Sequence, residues 1–484
     1  MSATSLPSVS DQANEAATAA LHHADRTSVL HPSTSISDFS SGKSPSTIVE
    51  SASGVRIRDT EGHELIDAFA GLYCVNIGYG RTEVADAIAR QAHQLAYYHT
   101  YAGHSTEELI RLSDRLVKMA PISNGGEPMQ RVFYGTSGSD ANETNAKLVW
   151  YYHNLIGKPK KKRIIARDRA YHGNTVMAGS MTGLNFYHNF MDLPVSAILR
   201  TGAPHHYWGV HPGESEEQFS QRRATELEAL IVREDPETIG AFIGEPVLGT
   251  GGLIPPPSGY WSAIQAVLHK YDILLIADEV ITGFGRTGRM FGSQLYDIQP
   301  DLITIAKGLT SAYAPLSGVI VGERVYKAME AGSAEAGVFP HGYTYTGHPI
   351  AVAAANANLD ILERESLTQN AAEVGAYMLG ALHTAFDGLP ITGEVRGIGL
   401  MLAVEFVADP ATKQRLDSAL KVASRISALA REKGLITRAM PQSEALGFAP
   451  PLVLTRSEAD QIVEIAAAST RQVIDELTRE GTLA

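Results

Sequence analysis

Between residues 130 and 322 short apolar runs alternate with stretches of helical period. The runs are "RVFYG" (131–135), "RIIAR" (163–167), "GAFIGEP" (240–246), "ILLIA" (273–277), "LITIAK" (302–307) and "SGVIVG" (317–322). They are too short for helices, and several are apolar at successive positions, the pattern of strands buried on both faces. Helical patterns lie between several of them, at 139–156 and 258–270. Strands separated by helices build a mostly parallel sheet covered on both sides, an α/β fold whose ligands sit beyond the carboxyl ends of the strands.

The flanks read differently. "VRIRD" and "ELIDAF" surround Glu61-Gly62 and predict a hairpin within 54–71. Val84, Ile88, Ala92 and Leu95 share one face of a helix over 82–96. Beyond about residue 355, helical segments at 350–364 and 416–433 bracket "EVRGIGLMLAVEF" (394–406), which predicts a smaller α+β unit. The first 25 residues are rich in Ser and Ala with little periodicity, the mark of a mobile arm.

Charge and composition exclude several classes. Lys plus Arg number 40 against 53 Asp plus Glu, a net charge of −13, so counterion release favours no nucleic acid partner. No run approaches the roughly 18 apolar residues of a spanning helix, and residues 1–24, with Asp11 and Glu15, lack a secretory apolar core. A cytoplasmic protein with no membrane partner is expected. Cys74 is the one cysteine, which forbids an internal disulfide, and "GLYCVNIGYG" predicts a buried, unreactive thiol. His22-His23 and His205-His206 have no acid or third histidine at ligand spacing, so no metal site is expected. "KPKKKR" (158–163) reads as a solvated turn.

Residues 273–288, "ILLIADEVITGFGRTG", set two carboxylates, Asp278 and Glu279, against the end of an apolar strand. A carboxylate there is costly unless a cation meets it, either in a structural ion pair or in a ligand. Gly283, Gly285 and Gly288 spell GxGxxG, but Gly283 does not directly follow the strand and "RTGRMFG" is a poor helix start, so a dinucleotide fingerprint is excluded. Lys307 ends another apolar run, ahead of Gly308. On a surface it would be an ordinary lysine; in a confined site its pKa falls and it becomes a usable nucleophile or base. Ser137, Gly138 and Ser139 lie between a strand and an amphipathic helix, where free N–H groups and hydroxyls suit an anion, although capping by Ser139 or Asp140 would use the same residues. An anion cradle, a carboxylate and an amine on neighbouring strand ends suit pyridoxal 5′-phosphate (PLP): phosphate in the cradle, lysine on the aldehyde, aspartate on the pyridine nitrogen.

"TSGSDANE" (136–143), "AYHGNT" (170–175), "GEPVLGTGG" (244–252), "LLIADEVITGFGRTG", "ITIAKGL" (303–309) and "HGYTYTGHP" (341–349) occur together in this order. The chain resembles the class III (ω-amino-acid) aminotransferases of PLP fold type I over nearly all of 30–475, and is most similar to the amine:pyruvate group. The resemblance implies a large PLP-binding domain at 76–354, a discontinuous small domain at 26–75 and 355–484, and an arm at 1–25. It implies that Ser137, Gly138 and Ser139 bind the phosphate, that Tyr171 stacks on the pyridine ring with His172 beside it, and that Val280 packs on the other face. Asp278 would pair with the pyridinium nitrogen and Lys307 would carry the cofactor. Thr344 would reach the phosphate of a neighbouring subunit, which implies a homodimer with shared sites, or a dimer of dimers. Glu245 lies near the site in the family.

The same resemblance implies a ping-pong reaction. An amine donor gives up its nitrogen, a keto acid such as pyruvate receives it, and Lys307 moves the proton between carbons. Arg438, in "LITRAMPQ" (435–442), matches the arginine that swings in to bind the acceptor carboxylate in the amine:pyruvate group. Tyr73 and the cluster Tyr97, Tyr98 and Tyr101 match aromatic pocket walls, although several relatives carry Trp where Tyr73 stands. The cofactor residues alone fit a mutase, a decarboxylase or a racemase on the same fold; Arg438 favours transamination.

Overall fold

The computed structural model describes residues 9–483, with side chains from residue 16 onward. Three strands come first: β1 (Val49–Ser53), β2 (Arg56–Asp59) and β3 (Glu64–Asp67). Seven more build the central sheet: β4 (Met129–Gly135), β5 (Arg163–Arg167), β6 (Ile198–Thr201), β7 (Ile239–Gly244), β8 (Leu274–Asp278), β9 (Leu302–Ile305) and β10 (Ser317–Gly322). The last five are β11 (Thr392–Ile398), β12 (Met401–Phe406), β13 (Leu435–Ile436), β14 (Arg438–Ala439) and β15 (Ala445–Phe448).

In space the central sheet runs β4-β10-β9-β8-β7-β5-β6. Neighbours from β9 to β6 are parallel, and only β10 is reversed, against both β9 and β4. The expected mostly parallel, seven-stranded α/β sheet of fold type I is therefore present; six of its strands were read as apolar runs and the seventh was not located in the sequence. That strand, β6, is four residues long, at the sheet edge, and half its residues are only partly buried.

Residue alternation explains the apolar runs. Leu274 and Ile276 of β8 face one core with Val149 of the helix Gly138–Leu155, while Ile273 and Leu275 face the other with Trp261 and Ile264 of the helix Tyr260–Lys270. Burying both faces requires apolar side chains at successive positions, and each fully buried Leu or Ile contributes about 1.5–3 kcal/mol.

Two smaller four-stranded sheets flank this body, β1-β2-β3-β13 and β11-β12-β15-β14. The hairpin β2–β3 turns at Glu61-Gly62, with Gly62 at φ 87°. Strand β13 pairs in parallel with β3, Leu435 opposite Ile66, which ties the C-terminal third to the N-terminal hairpin. Sheet β11–β15 is antiparallel throughout.

Four local expectations need correction. Residues 9–25 of the expected arm lie in a helix, Val9–Ser28, whose end is fastened by Arg26 to the carbonyls of Phe39 and Ser44; residues 1–8 are outside the described residues. Cys74 is half-exposed rather than buried, its thiol donating to the Leu72 carbonyl at 3.1 Å. In "KPKKKR" Lys161 is a core residue, 1% exposed, whose ammonium donates to the Tyr271 and Asp272 carbonyls at 3.0 Å each. The helical segment begins at Val422, because Lys421 adopts φ 49° and breaks the chain from the turn before it. Among the described residues no helix is long and apolar enough to cross a membrane.

Candidate active site

The parallel strands β4, β5, β7, β8 and β9 all open at one edge, and the residues that follow them meet there. A cavity of about 130 Å³ is lined by Gly138, Ser139, Tyr171, His172, Gly173, Glu245, Asp278, Val280, Ile281 and Lys307. Eight of these were expected from the sequence; Gly173 and Ile281 were not.

The end of the cavity expected to take a phosphate is the turn from β4 into the helix Gly138–Leu155. Ser137 is its N-cap, accepting from the Asp140 N–H at 3.2 Å while the Asp140 carboxylate accepts the Ser137 N–H, so Ser137 and Asp140 share the capping and Ser139 takes no part in it. The Asp140 carboxylate accepts from the N–H groups of Thr136 and Ser137 and from the hydroxyls of Thr136 and Ser317, all between 2.8 and 3.1 Å. That fixes the loop and leaves the Gly138 and Ser139 N–H groups at the helix start for an anion. A Cβ on Gly138 would lie 3.2 Å from Val280, and one on Gly173 would overlap the Ser139 hydroxyl at 2.4 Å, so both glycines permit close approach.

Asp278 is 2% exposed at the end of β8. Its Oδ2 accepts from His172 Nδ1 at 2.7 Å and from Asn142 Nδ2 at 2.9 Å, while among the described residues Oδ1 accepts only the Val280 N–H at 3.1 Å. Asn142 was missed by the sequence reading. Its side chain also donates to the His172 carbonyl, and its Oδ1 accepts from Asn145 and Thr304. The signal lay in the motif: Asn142 and Asn145 stand three and six residues after Ser139, on the helix face that meets the sheet. Glu279 is separate and structural, holding the N–H groups of Gly292 and Ser293.

Lys307 follows β9 at φ 44°, a left-handed conformation unusual for a residue with a side chain. It keeps some exposure through the cavity it lines. Burial of its amine lowers its pKa from 10.5, against opposing pulls from Cys74, Asp278 and Glu245. Glu245, 3% exposed, accepts from the Tyr171 and Gly249 N–H groups at 3.1 and 2.7 Å, and burial raises its pKa. Tyr171 walls the cavity, its phenol pushed up to about 12 by burial and by Tyr187.

Tyr73 lies beside the amine, with Lys307 Nζ 5.2 Å from its ring centroid. Arg438, in β14, sits 5.5 Å from the Phe69 ring centroid and joins no ion pair among the described residues. Tyr97, Tyr98 and Tyr101 are not at this chain's cavity. They are surface residues near Thr344, whose carbonyl accepts from the Tyr97 hydroxyl at 2.7 Å. Thr344 itself is exposed.

The residues fit PLP. A buried carboxylate with one oxygen free of side-chain partners, a depressed lysine amine opposite, two ring walls and a helix start with free donors form the complete donor set for that cofactor. The family model for class III aminotransferases matches residues 39–469. A diaminobutyrate–2-oxoglutarate transaminase of Halomonas elongata is 54% identical over 95% of this chain and 97% of its own. A transaminase obtained by ancestral reconstruction superposes with a TM-score of 0.93 at 59% identity, covering 95% of this chain and 100% of its own. The ω-transaminase of Pseudomonas jessenii, solved in complex with PMP, gives a TM-score of 0.91 at 41% identity over 95% and 99%. The chain belongs to the class III aminotransferases, PLP-dependent enzymes of fold type I.

Proposed function

We propose that this transaminase moves an amino group from an ω-amine or ω-amino acid to a keto acid such as pyruvate, in a ping-pong cycle. The observation that carries the reading is Arg438, a guanidinium with no described carboxylate partner whose charge bears on Lys307, Tyr73 and Tyr171. A fork of donors at the site mouth suits the carboxylate of an acceptor. The Halomonas relative is named for 2-oxoglutarate and the Pseudomonas one as an ω-transaminase, which support an ω-nitrogen donor and leave two acceptor chemistries to separate.

When bound, PLP supplies an aldehyde that takes up the donor nitrogen and a ring that withdraws electrons from the donor carbon. The chain does the rest. Asp278 Oδ1 holds a proton at the ring nitrogen, and His172 and Asn142 keep that carboxylate in place. Gly138, Ser139 and the Ser137 hydroxyl anchor the phosphate, with Thr344 of a second copy completing the site in a homodimer. Tyr171 and Val280 flank the ring. Lys307 Nζ, its pKa lowered by burial, accepts the proton from the donor carbon and returns it one position away.

A panel of amines run against pyruvate and 2-oxoglutarate, following alanine and glutamate, tests the reading. Arg438→Ala is expected to slow the keto-acid half-reaction about 10–100-fold, the worth of a charged hydrogen bond, and to spare the amine half-reaction with an uncharged donor. Equal loss in both halves contradicts the role of Arg438.

A further inference from the structure

We propose that Asp67 is a positioning residue for substrate selection: it locks the strained segment 69–73 so that Phe69 lies against Arg438 and Tyr73 against Lys307. The proposal rests on the reading of Tyr73 and Arg438 as substrate residues.

Asp67 is the last residue of β3 and is 3% exposed. Its strand is fixed from both sides, by the bond from its own N–H to the Val55 carbonyl and by the bond from the Ala68 N–H to Ile436. The chain then leaves ordinary backbone geometry. Ala70, Gly71 and Tyr73 adopt φ of 47°, 67° and 63°, and only one of the three is a glycine. L-residues with a Cβ disfavour that region, so Ala70 and Tyr73 stay there only if their surroundings hold them.

The Asp67 carboxylate supplies the hold. Oδ1 accepts from the Phe69 N–H at 3.0 Å, and Oδ2 accepts from the Gly71 N–H at 2.6 Å and from the Tyr79 hydroxyl at 2.6 Å. Tyr79 is itself anchored by paired backbone bonds with Gly54. Burial and the neighbouring Asp67 raise the Tyr79 phenol above its usual value, so it remains a donor at working pH. The segment so held carries two functional contacts. Phe69 offers its ring to the Arg438 guanidinium at 5.5 Å, and Tyr73 offers its ring to Lys307 Nζ at 5.2 Å. The two rings are 4.4 Å apart, so displacing one displaces the other. One carboxylate, in contact with neither substrate nor cofactor, thus sets both the acceptor contact and the width of the donor pocket.

Burial lowers the pKa of Arg286 and the Asp67 charge opposes that shift, a purely structural role that the test must separate. Asp67→Asn keeps the shape but turns an amide N–H₂ or a single oxygen toward three donors. Tyr79→Phe removes one bond of the lock and leaves the Asp67 charge on Arg286 untouched. Both variants are studied as holoenzymes, with hydrogen–deuterium exchange over residues 68–76 and with steady-state kinetics on compact and bulky amines and on pyruvate.

Faster exchange over 68–76, about tenfold or more in Asp67→Asn and less in Tyr79→Phe, is expected. With it, the KM for pyruvate rises and the ratio of kcat/KM between compact and bulky amines shifts by about tenfold, the effect falling on KM rather than kcat. Faster exchange with unchanged selectivity and KM overturns the proposal, as does unchanged exchange. If Asp67→Asn does not fold, Tyr79→Phe decides alone by the same criteria. Tyr73→Ala and Arg438→Ala are measured alongside. If they too leave selectivity and KM unchanged, the reading of the site fails and the proposal falls with it; if they move them and the Asp67 and Tyr79 variants do not, only the proposal falls.

Discussion

Asp278 has one oxygen taken by side-chain donors and the other held only by a backbone N–H. That asymmetry leaves Oδ1 the oxygen better able to meet a ligand cation. Asp278→Asn is expected to retain the cofactor on Lys307 yet lose about 10²–10³-fold in turnover, the scale of removing one preorganised electrostatic partner; stopped-flow kinetics with a mass measurement of the bound cofactor checks it. Lys307 supplies a pH test. Its folded pKa lies below 10.5 because burial penalises the ammonium, so the neutral amine predominates from a lower pH than in a free lysine. Capture of PLP by apoenzyme, trapped by borohydride at each pH, is expected to rise to its plateau before pH 10.5; a midpoint at or above 10.5 contradicts the assignment. These two residues were legible in the sequence because an ionisable group at the end of an apolar strand is costly without a partner. Asn142 was not, since its role depends on bonds to Asp278 and the His172 carbonyl, 136 and 30 residues away.

At the scale of elements, the turn from β4 into the helix Gly138–Leu155 is the part most dependent on a single side chain. Asp140 accepts from Thr136, Ser137 and Ser317 and shapes the loop that presents the Gly138 and Ser139 N–H groups. Asp140→Ala is expected to weaken PLP affinity about fivefold, in line with the ~1 kcal/mol worth of a helix cap, measured by equilibrium dialysis of the apoenzyme. Six strands of the central sheet were readable because burial on both faces imposes successive apolar residues. Two of its covering helices, Gly138–Leu155 and Tyr260–Lys270, showed their period, whereas the covering helix Glu216–Arg233 was not read. Edge strand β6 and the helix Val9–Ser28 were not read either. One is only four residues long, half of them only partly buried, and the other carries just two large apolar residues, Val9 and Leu21, too few to mark a period. Lys161 was misread because its linear neighbours are basic, while its partners, the Tyr271 and Asp272 carbonyls, arrive from another connection.

At the scale of the molecule, Tyr97, Tyr98, Tyr101 and Val338 are exposed and lie outside this chain's own cavity, with Tyr97 bonded to the Thr344 carbonyl, so the proposed role of Thr344 needs a second copy and can be tested through it. Mixing refolded Lys307→Ala and Thr344→Glu chains tests shared sites. Random pairing gives half hybrids, each with one intact site of two, so activity is expected to return to about a quarter of wild type; no recovery contradicts Thr344 acting across the interface. Fold and cofactor chemistry were legible as a whole because they follow from strand order and strand ends. The tyrosine cluster, expected as a pocket wall, lies apart from this chain's cavity, because a local aromatic pattern does not say which surface it will face. The central claim is the covalent attachment of PLP at Lys307. Borohydride reduction of the purified enzyme, followed by digestion and mass spectrometry, is expected to place the cofactor mass on the peptide containing Lys307; its appearance on any other lysine, or on none, contradicts the account.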